Sequence, residues 1–281
     1  MKNVCNEFSI ILEMSFSLDK NKYQNIIRSC EALQGLAGKN TLLLCNLTPS
    51  GLRIQSIDDK HHRTVLILNL ESEYFNEFNV EKEISFACIV KELFVKENRK
   101  FNMVAYQFKE TETKAEVSAE TQDDFIGKFE ISYDKMISEL KVMGAQHGQS
   151  YVGAKPESTY YEFNLTNKLF LEQLKSLKDN SSDEILKFTC LDKTLLSSTS
   201  FITEATDKKP IELGTSELPY SEMYEISVDL ELIYKTISKV KTLCKVTNVM
   251  LPTDSSRPVR LVLTLENTAV INYYMSPFGS V

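Results

Sequence analysis

Side chains that could perform catalysis or bind a metal are few in this sequence. His61 and His62 are metal-ligand types, but no third histidine or acidic residue is spaced to complete a site, which favours a solvated loop. His147 could act as a general base, yet it lies in a glycine-rich stretch where precise positioning is difficult. No Ser-His-Asp, Cys-His or paired-carboxylate arrangement stands out. The sequence therefore predicts a protein that is not an enzyme, with no catalytic residues, no metal ligands and no cofactor.

A glycine-containing run from Gly35 to Thr41 has some features of a phosphate-binding loop. It lacks the four-residue spacer of that motif, and it follows a helical pattern instead of a strand. The glycines Gly35 and Gly38 are better explained as the end of that helix, where glycine is common. We therefore do not predict a nucleotide-binding loop.

Lysine and arginine side chains are the remaining candidates, because they can bind phosphate without any catalytic chemistry. The chain has 281 residues and a net charge of −7, which by itself argues against a nucleic-acid-binding protein. The four helices predicted below, with the residues that follow them, nevertheless carry 14 of the 32 basic residues. Cations gathered on one surface can hold DNA while the whole chain stays acidic. On these residues alone, ordinary solvated helix faces remain an alternative.

Four amphipathic helices are predicted, and they cover residues 18–33, 89–96, 167–178 and 228–241. Asp19 is a candidate N-cap for the first helix. Runs with a two-residue period predict strands between the helices. Each half of the chain has the order strand, helix, several strands, helix and hairpin strands, which indicates a structural repeat. We therefore predict two domains, residues 1–132 and 158–281, joined by a connecting loop at residues 133–157.

The bulk composition agrees with a folded intracellular protein. Apolar residues make up 42% of the chain, which is enough for a substantial core. The six cysteines show no metal-binding or disulfide spacing, so we expect reduced thiols. No apolar run approaches the length of a membrane span, and no secretory signal is seen.

A motif between residues 50 and 61 has a specific counterpart among known families. A Ser-Gly turn leads into a strand and then into a Gln-Ser-apolar-Asp-x-x-His loop, at Ser50, Gly51, Gln55, Ser56, Ile57, Asp58 and His61. This window resembles the sliding clamps of the proliferating cell nuclear antigen (PCNA) family. Two further stretches resemble the same family: the loop exit at Pro156–Tyr161 and the closing hairpin with Pro258, Tyr273, Tyr274 and Pro277.

The resemblance implies a fold and an assembly. The fold would be α+β, with two similar DNA-clamp domains, each with two helices on the inner face and antiparallel sheets outside. Three chains would close a ring around duplex DNA as a homotrimer. We expect the chains to join by edge strands, near Lys114–Ala119 of one chain and Asp183–Cys190 of the next.

The resemblance also implies a function. The protein would be a DNA polymerase processivity factor that is placed on DNA by a clamp loader, tethers replication and repair proteins, and acts in the nucleus or at a site of viral DNA replication. Sequence-independent DNA contacts would come from Lys20, Lys22, Arg28, Lys91, Lys96, Lys168, Lys175, Lys235 and Lys239. Partner peptides would bind as a helix in a groove formed by Ile57, His61, Leu140, Val142, Pro258, Tyr274, Ser276 and Pro277.

Several departures from the family pattern favour a divergent member. Glu172 and Glu231 stand at helix positions where the family often has arginine, which would make the bore less positive. The connecting loop is longer than usual, and the tail stops soon after Pro277. The modifiable lysine expected near Lys193 is displaced or missing. The alternative function is therefore a subunit of a heterotrimeric checkpoint-type clamp or a clamp-like viral processivity factor.

Overall fold

A computed structural model gives the architecture as antiparallel sheets packed against helices. The structure describes residues 13–37, 43–57, 64–88, 101–110, 114–121, 125–132, 160–180, 185–191, 194–199, 211–215, 224–253, 257–266 and 268–277. The predicted helix at 89–96 and the predicted connecting loop at 133–157 lie outside these residues. The predicted α+β class, with few helices and extensive antiparallel sheets, is confirmed.

Among the described residues, nine strands belong to the first half of the chain and eight to the second. The first nine are β1 (Glu13–Asp19), β2 (Leu43–Thr48), β3 (Gly51–Ile57), β4 (Thr64–Glu71), β5 (Glu77–Asn79), β6 (Ile84–Cys88), β7 (Met103–Glu110), β8 (Lys114–Thr121) and β9 (Phe125–Ser132). The others are β10 (Tyr160–Thr166), β11 (Ile185–Leu191), β12 (Thr194–Thr199), β13 (Ile211–Thr215), β14 (Tyr224–Asp229), β15 (Val246–Pro252), β16 (Val259–Glu266) and β17 (Ala269–Met275).

The described residues include three α-helices: α1 (Lys20–Ala37), α2 (Asn167–Asn180) and α3 (Leu230–Val240). All three were predicted from their apolar periodicity, and their ends differ from the prediction by at most a few residues. The sequence pattern also predicts a single strand at about Asn79–Phe86, and this prediction is wrong in extent. Strand β5 ends at Asn79, β6 begins at Ile84, and the two strands belong to different sheets.

The strands described above form three antiparallel sheets. Their orders are β5-β1-β7-β8-β9, β10-β15-β16-β17-β4-β3-β2-β6 and β13-β12-β11-β14. The eight-stranded sheet contains strands from both halves, and its two parts meet where β17 pairs with β4. Alternate residues of these strands face one main core, which includes Leu66, Leu68, Ile271 and Tyr273.

The two halves repeat the same topology. The order β1-β7-β8-β9 in the first half corresponds to β10-β15-β16-β17 in the second, and β6-β2-β3-β4 corresponds to β14-β11-β12-β13. By this correspondence, β9 matches β17, and β13 matches β4. Within the chain β17 and β4 pair with each other, whereas in the described residues β9 pairs only with β8 and β13 only with β12.

The predicted edge strands were wrong. The strand at Lys114–Ala119 lies in β8, which is paired on one side with β7 and on the other with β9. The segment Asp183–Cys190 corresponds to β11, which lies between β12 and β14. Both strands are therefore interior, and the edge strands of their two sheets are β5 and β9, and β13 and β14. The sequence pattern identified the strands, but their neighbours depend on pairings between distant residues.

A tight turn at Gly51 joins β2 to β3. Gly51 has φ of +146°, a conformation that L side chains rarely adopt. A Cβ atom at this position would lie 2.0 Å from the carbonyl oxygen of Leu70 in β4. The absence of a side chain therefore lets β3 approach β4 closely, which explains the glycine of the Ser-Gly turn.

Replacement of Gly51 by alanine is expected to destabilise the fold by at least about 2 kcal/mol, because backbone strain and a backbone clash are both introduced. The free energy of unfolding from urea titration measures this change. Ser50→Ala is the matched control, since Ser50 is exposed and loses only a side-chain hydrogen bond with Thr48. Equal unfolding midpoints for the two variants would contradict the proposed constraint.

Candidate nucleic-acid interface

Helices α1, α3 and α2 lie side by side on the sheets, and we call them the helix wall. Helix α3 packs against α1 on one side and α2 on the other. Each helix buries its apolar face on strands: α1 on β1, β3, β4 and β7, α2 on β10, and α3 on β11. The opposite faces are exposed and adjoin one another, so polar side chains from both halves of the chain share one surface.

Aspartate caps fix where two of these helices begin. The carboxylate of Asp19 accepts hydrogen bonds from the backbone N–H groups of Asn21 at 2.9 Å and Lys22 at 3.0 Å, as predicted for α1. The carboxylate of Asp229 accepts from the N–H of Leu232 at 2.9 Å at the start of α3. These caps satisfy N–H groups that have no partner within the helix.

A buried polar network fixes the start of α2. The side-chain amide of Asn167, which is 1% exposed, donates to the carbonyl oxygen of Cys244 at 3.0 Å and to its sulfur at 3.0 Å. The hydroxyl of Thr247 donates to the side-chain oxygen of Asn167. Burial raises the pKa of the Cys244 thiol, and the hydrogen bond from Asn167 opposes that rise. The thiol is therefore a neutral member of the network that ties α2 to β15.

The described basic residues predicted to contact DNA all lie on the helix wall. Five are exposed: Arg28, Lys168, Lys175, Lys235 and Lys239. Lys20 and Lys22 are half-buried, and their amines lie 5.7 Å from the ring centroids of Phe101 and Tyr74, respectively. Lys91 and Lys96 lie outside the described residues.

The helix wall is positive although the chain is acidic. Helices α1, α2 and α3 contain eight lysine and arginine residues and four aspartate and glutamate residues, which gives a net charge of +4. The whole chain has −7, so the remainder has −11. This arrangement can attract a polyanion to one surface while the others repel it.

An ion-pair cluster crosses the helix wall between α2 and α3. The carboxylate of Glu231 contacts the amine of Lys178 at 2.5 Å and the amine of Lys235 at 3.3 Å. The hydrogen bond from Lys178 lowers the pKa of Glu231 and raises that of Lys178. The amine of Lys178 also lies 4.8 Å from the ring centroid of Tyr234. The sequence predicted that Glu231 lies on this surface, but it did not predict the contacts with Lys178 and Lys235.

On the face opposite the helices, two predicted groove positions, Ile57 and Tyr274, lie on either side of Val65 across the eight-stranded sheet. Tyr274 in β17 pairs with Val65 in β4, and Val65 pairs with Ile57 in β3. Val65 and Ile67 are buried and pack with Tyr274 in a small apolar cluster separate from the main core. Val65 and Ile67 were not predicted as groove residues. Their signal was the run Thr64–Glu71, where apolar residues occupy both alternating sets of positions.

Other predicted groove residues follow the same end of the sheet. Val259 pairs with Met275. Pro258 precedes Val259 and Ser276 follows Met275, so these two residues are neighbours, and Pro277 is next along the chain. Pro258 and Ser276 are half-buried, and Pro277 is buried. His61, Leu140 and Val142 lie outside the described residues, and for Ile57 only the backbone is described.

A polar group borders the apolar cluster, and sequence reasoning missed it. The guanidinium of Arg260 donates to the side-chain oxygen of Asn272 at 3.1 and 2.7 Å, and its central carbon lies 5.6 Å from the Tyr274 ring centroid. Burial, with a smaller contribution from Tyr274, raises the pKa of Tyr160. The Arg260 guanidinium therefore lies beside the Tyr274 ring at the border of the apolar cluster.

Metal binding and membrane insertion find no support in the part of the chain that the structure describes. No group of three or more His, Cys, Asp or Glu side chains is arranged to hold a metal ion there. None of the helices described has both the length and the apolar character needed to cross a bilayer.

Comparisons with known proteins agree with this architecture. No family profile matches the sequence, and no curated protein matches it. A chain in the crystal structure of a PCNA2–PCNA3 complex from Sulfolobus tokodaii has a similar fold, with a TM-score of 0.62 and 15% sequence identity. The match covers 94% of this chain and 99% of that one. The chain therefore has a PCNA-like clamp fold over nearly its whole length.

Proposed function

We propose that this protein is a DNA sliding clamp, a ring that encircles duplex DNA and tethers a polymerase and other replication and repair proteins. The observation that carries the proposal is the net charge of +4 on the helix wall of a chain whose total charge is −7. Lysine contacts to phosphate carry no sequence information, so such a surface holds DNA while allowing it to move. The protein would be a scaffold without catalytic activity.

Ring closure is supported by the repeated topology. If β9 of one chain pairs with β13 of the next, the contact between chains repeats the β17–β4 contact within each chain. Such a contact is head-to-tail and closes into a ring when the rotation per subunit allows it. It also gives both edge strands a partner, which an exposed edge otherwise lacks. A ring of three chains is what the resemblance of the sequence motifs to the PCNA family implies.

The second candidate is a subunit of a heterotrimeric clamp or a clamp-like viral processivity factor. The similar structure from Sulfolobus tokodaii is a complex of PCNA2 with PCNA3, so the fold is compatible with unlike neighbours. The acidic residues Glu172 and Glu231 on the helix wall also favour a specialised clamp. In either case we propose that the protein acts where DNA is replicated, in the nucleus or at a site of viral replication, with a clamp loader.

Partner proteins would bind on the outer face, at the cluster formed by Val65, Ile67 and Tyr274. An apolar patch beside the half-buried ring of Tyr274 and the end of the sheet suits a short helix with aliphatic and aromatic anchors. Arg260 stands beside the ring and would favour an acidic residue next to these anchors.

Loss of wall lysines is expected to weaken DNA binding. Replacing Lys168, Lys175 and Lys239 together by glutamine removes three phosphate contacts per chain. The plot of log affinity against log salt should therefore become shallower, by up to about 2.7 per chain. Fluorescence anisotropy with duplex DNA over a salt series measures the slope. Lys187→Gln is the control, because Lys187 lies on β11 and pairs with Glu225 away from the helix wall. An unchanged slope in the triple variant would show that the wall does not bind DNA.

The assembly is expected to have a mass near three times 32.1 kDa by light scattering.

Proline variants of β9 test whether this strand forms the contact between chains. Proline has no backbone N–H, so it removes a hydrogen bond to a neighbouring chain at any position where the N–H of the edge strand points outward. Adjacent N–H groups in β9 point to opposite sides, so one of Lys128→Pro and Phe129→Pro should release monomers that still unfold cooperatively. The other should lower the melting temperature through lost pairing with β8. If both variants keep the trimer mass, β9 is not the interface; a monomeric wild type favours the heterotrimeric alternative.

Removal of the Tyr274 ring is expected to weaken partner binding. A peptide with one aliphatic and two aromatic helix anchors should bind Tyr274→Ala at least about 10-fold more weakly, since aromatic anchors dominate such contacts. Isothermal titration calorimetry gives the affinity. Tyr234→Ala, on the helix wall, is the matched control and should bind like wild type. Equal affinity for Tyr274→Ala and wild type would place the binding surface elsewhere.

A further inference from the structure

Glu231 occupies an unusual place on the helix wall, because it lies in a basic surface and contacts two of its lysines. It lies in the first turn of α3, where the helix dipole favours a negative charge. Its two carboxylate oxygens are divided between Lys178 of α2 and Lys235 of α3, at 2.5 and 3.3 Å. The carboxylate therefore occupies contacts of these two amines that an anionic oxygen of another group could otherwise make.

We propose that Glu231 competes with DNA phosphate for Lys178 and Lys235, and thereby sets how weakly the helix wall holds a duplex. The inference rests on the proposed function and adds to it an affinity-determining residue. Lys178 is restrained most, because its amine contacts Glu231 and also lies over the ring of Tyr234 at 4.8 Å. Lys175 and Lys239, in contrast, make no ion pair within the described residues and are available to phosphate.

The strength of the cluster decides its effect. The three side chains are 35–50% exposed, and solvent-exposed ion pairs of this kind contribute little to stability. A phosphate group can therefore displace Glu231, but it gains less than it would from free lysines, and the displaced carboxylate repels it. The expected consequence is weaker binding with a shallower salt dependence, which suits a ring that must slide.

Two glutamate variants of the full chain separate this effect from a simple change of net charge. Glu231→Gln frees two lysines, so the slope of log affinity against log salt for a duplex of about 30 base pairs should steepen by up to about 1.8 per chain. Glu172→Gln is the matched control, since it removes the same charge from the wall but makes no ion pair within the described residues. Its slope should equal that of the wild type.

Two lysine variants test the same competition from the other side. Lys175→Gln should reduce the salt slope by about 0.9, the value for one phosphate contact. Lys178→Gln should reduce it by much less, because Lys178 is already held by Glu231. When Glu231→Gln is also present, Lys178→Gln should reduce the salt slope by the full value of about 0.9. A purely structural role of Lys178 would not produce this difference between the two backgrounds.

Amine reactivity provides a readout that does not depend on DNA. Acylation followed by peptide mass spectrometry should label Lys178 and Lys235 faster in Glu231→Gln than in wild type or Glu172→Gln. The inference alone would be overturned if Glu231→Gln left the labelling of Lys178 and Lys235 unchanged. It would also be overturned if the wild type bound DNA and the salt slope of Glu231→Gln equalled that of Glu172→Gln. If neither the wild type nor any variant binds the duplex, the proposed function fails and the inference fails with it.

Discussion

The antiparallel pairing of β4 with β17 is the interaction on which the rest of the structure depends. It joins strands from the two halves into one eight-stranded sheet and pairs seven residues of each strand. The same pairing brings α1 of the first half against α3 of the second, so that the helices form a continuous surface. Because the two halves share one topology, β9 corresponds to β17 and β13 to β4, so this internal contact is the pattern for the proposed pairing of β9 with β13 between chains.

The sheet at this junction separates two surfaces with different chemistry. One set of alternating residues, including Leu66 and Leu68, faces the core under the basic helices. The other set, Val65 and Ile67, forms an apolar cluster with Tyr274 on the opposite face. A strand with two apolar faces is therefore needed where the two halves meet. The arrangement allows the proposed DNA contacts and the proposed partner contacts to occur on opposite sides of one rigid element.

Charge on the helix wall is balanced instead of maximal. The lysines of α2 and α3 are partly neutralised by Glu231, and the remainder of the chain is strongly acidic. A surface that gripped phosphate with every cation would bind DNA tightly and resist movement, because each contact releases counterions and adds to the affinity. Lys168 and Lys175 are exposed, and weak contacts from them would suit the proposed ring, which must hold a duplex and let it pass.

The sequence by itself determined the three described helices and the α+β class, because these follow from local periodicity and from caps such as Asp19. It also placed Lys168, Lys175 and Lys239 on exposed helix faces, since a helix face is fixed by residues three and four apart. Only the tertiary structure decided that β8 and β11 are interior strands and that Glu231 meets Lys178. Those facts depend on which segments, far apart in the chain, become neighbours, and local sequence patterns do not encode that choice.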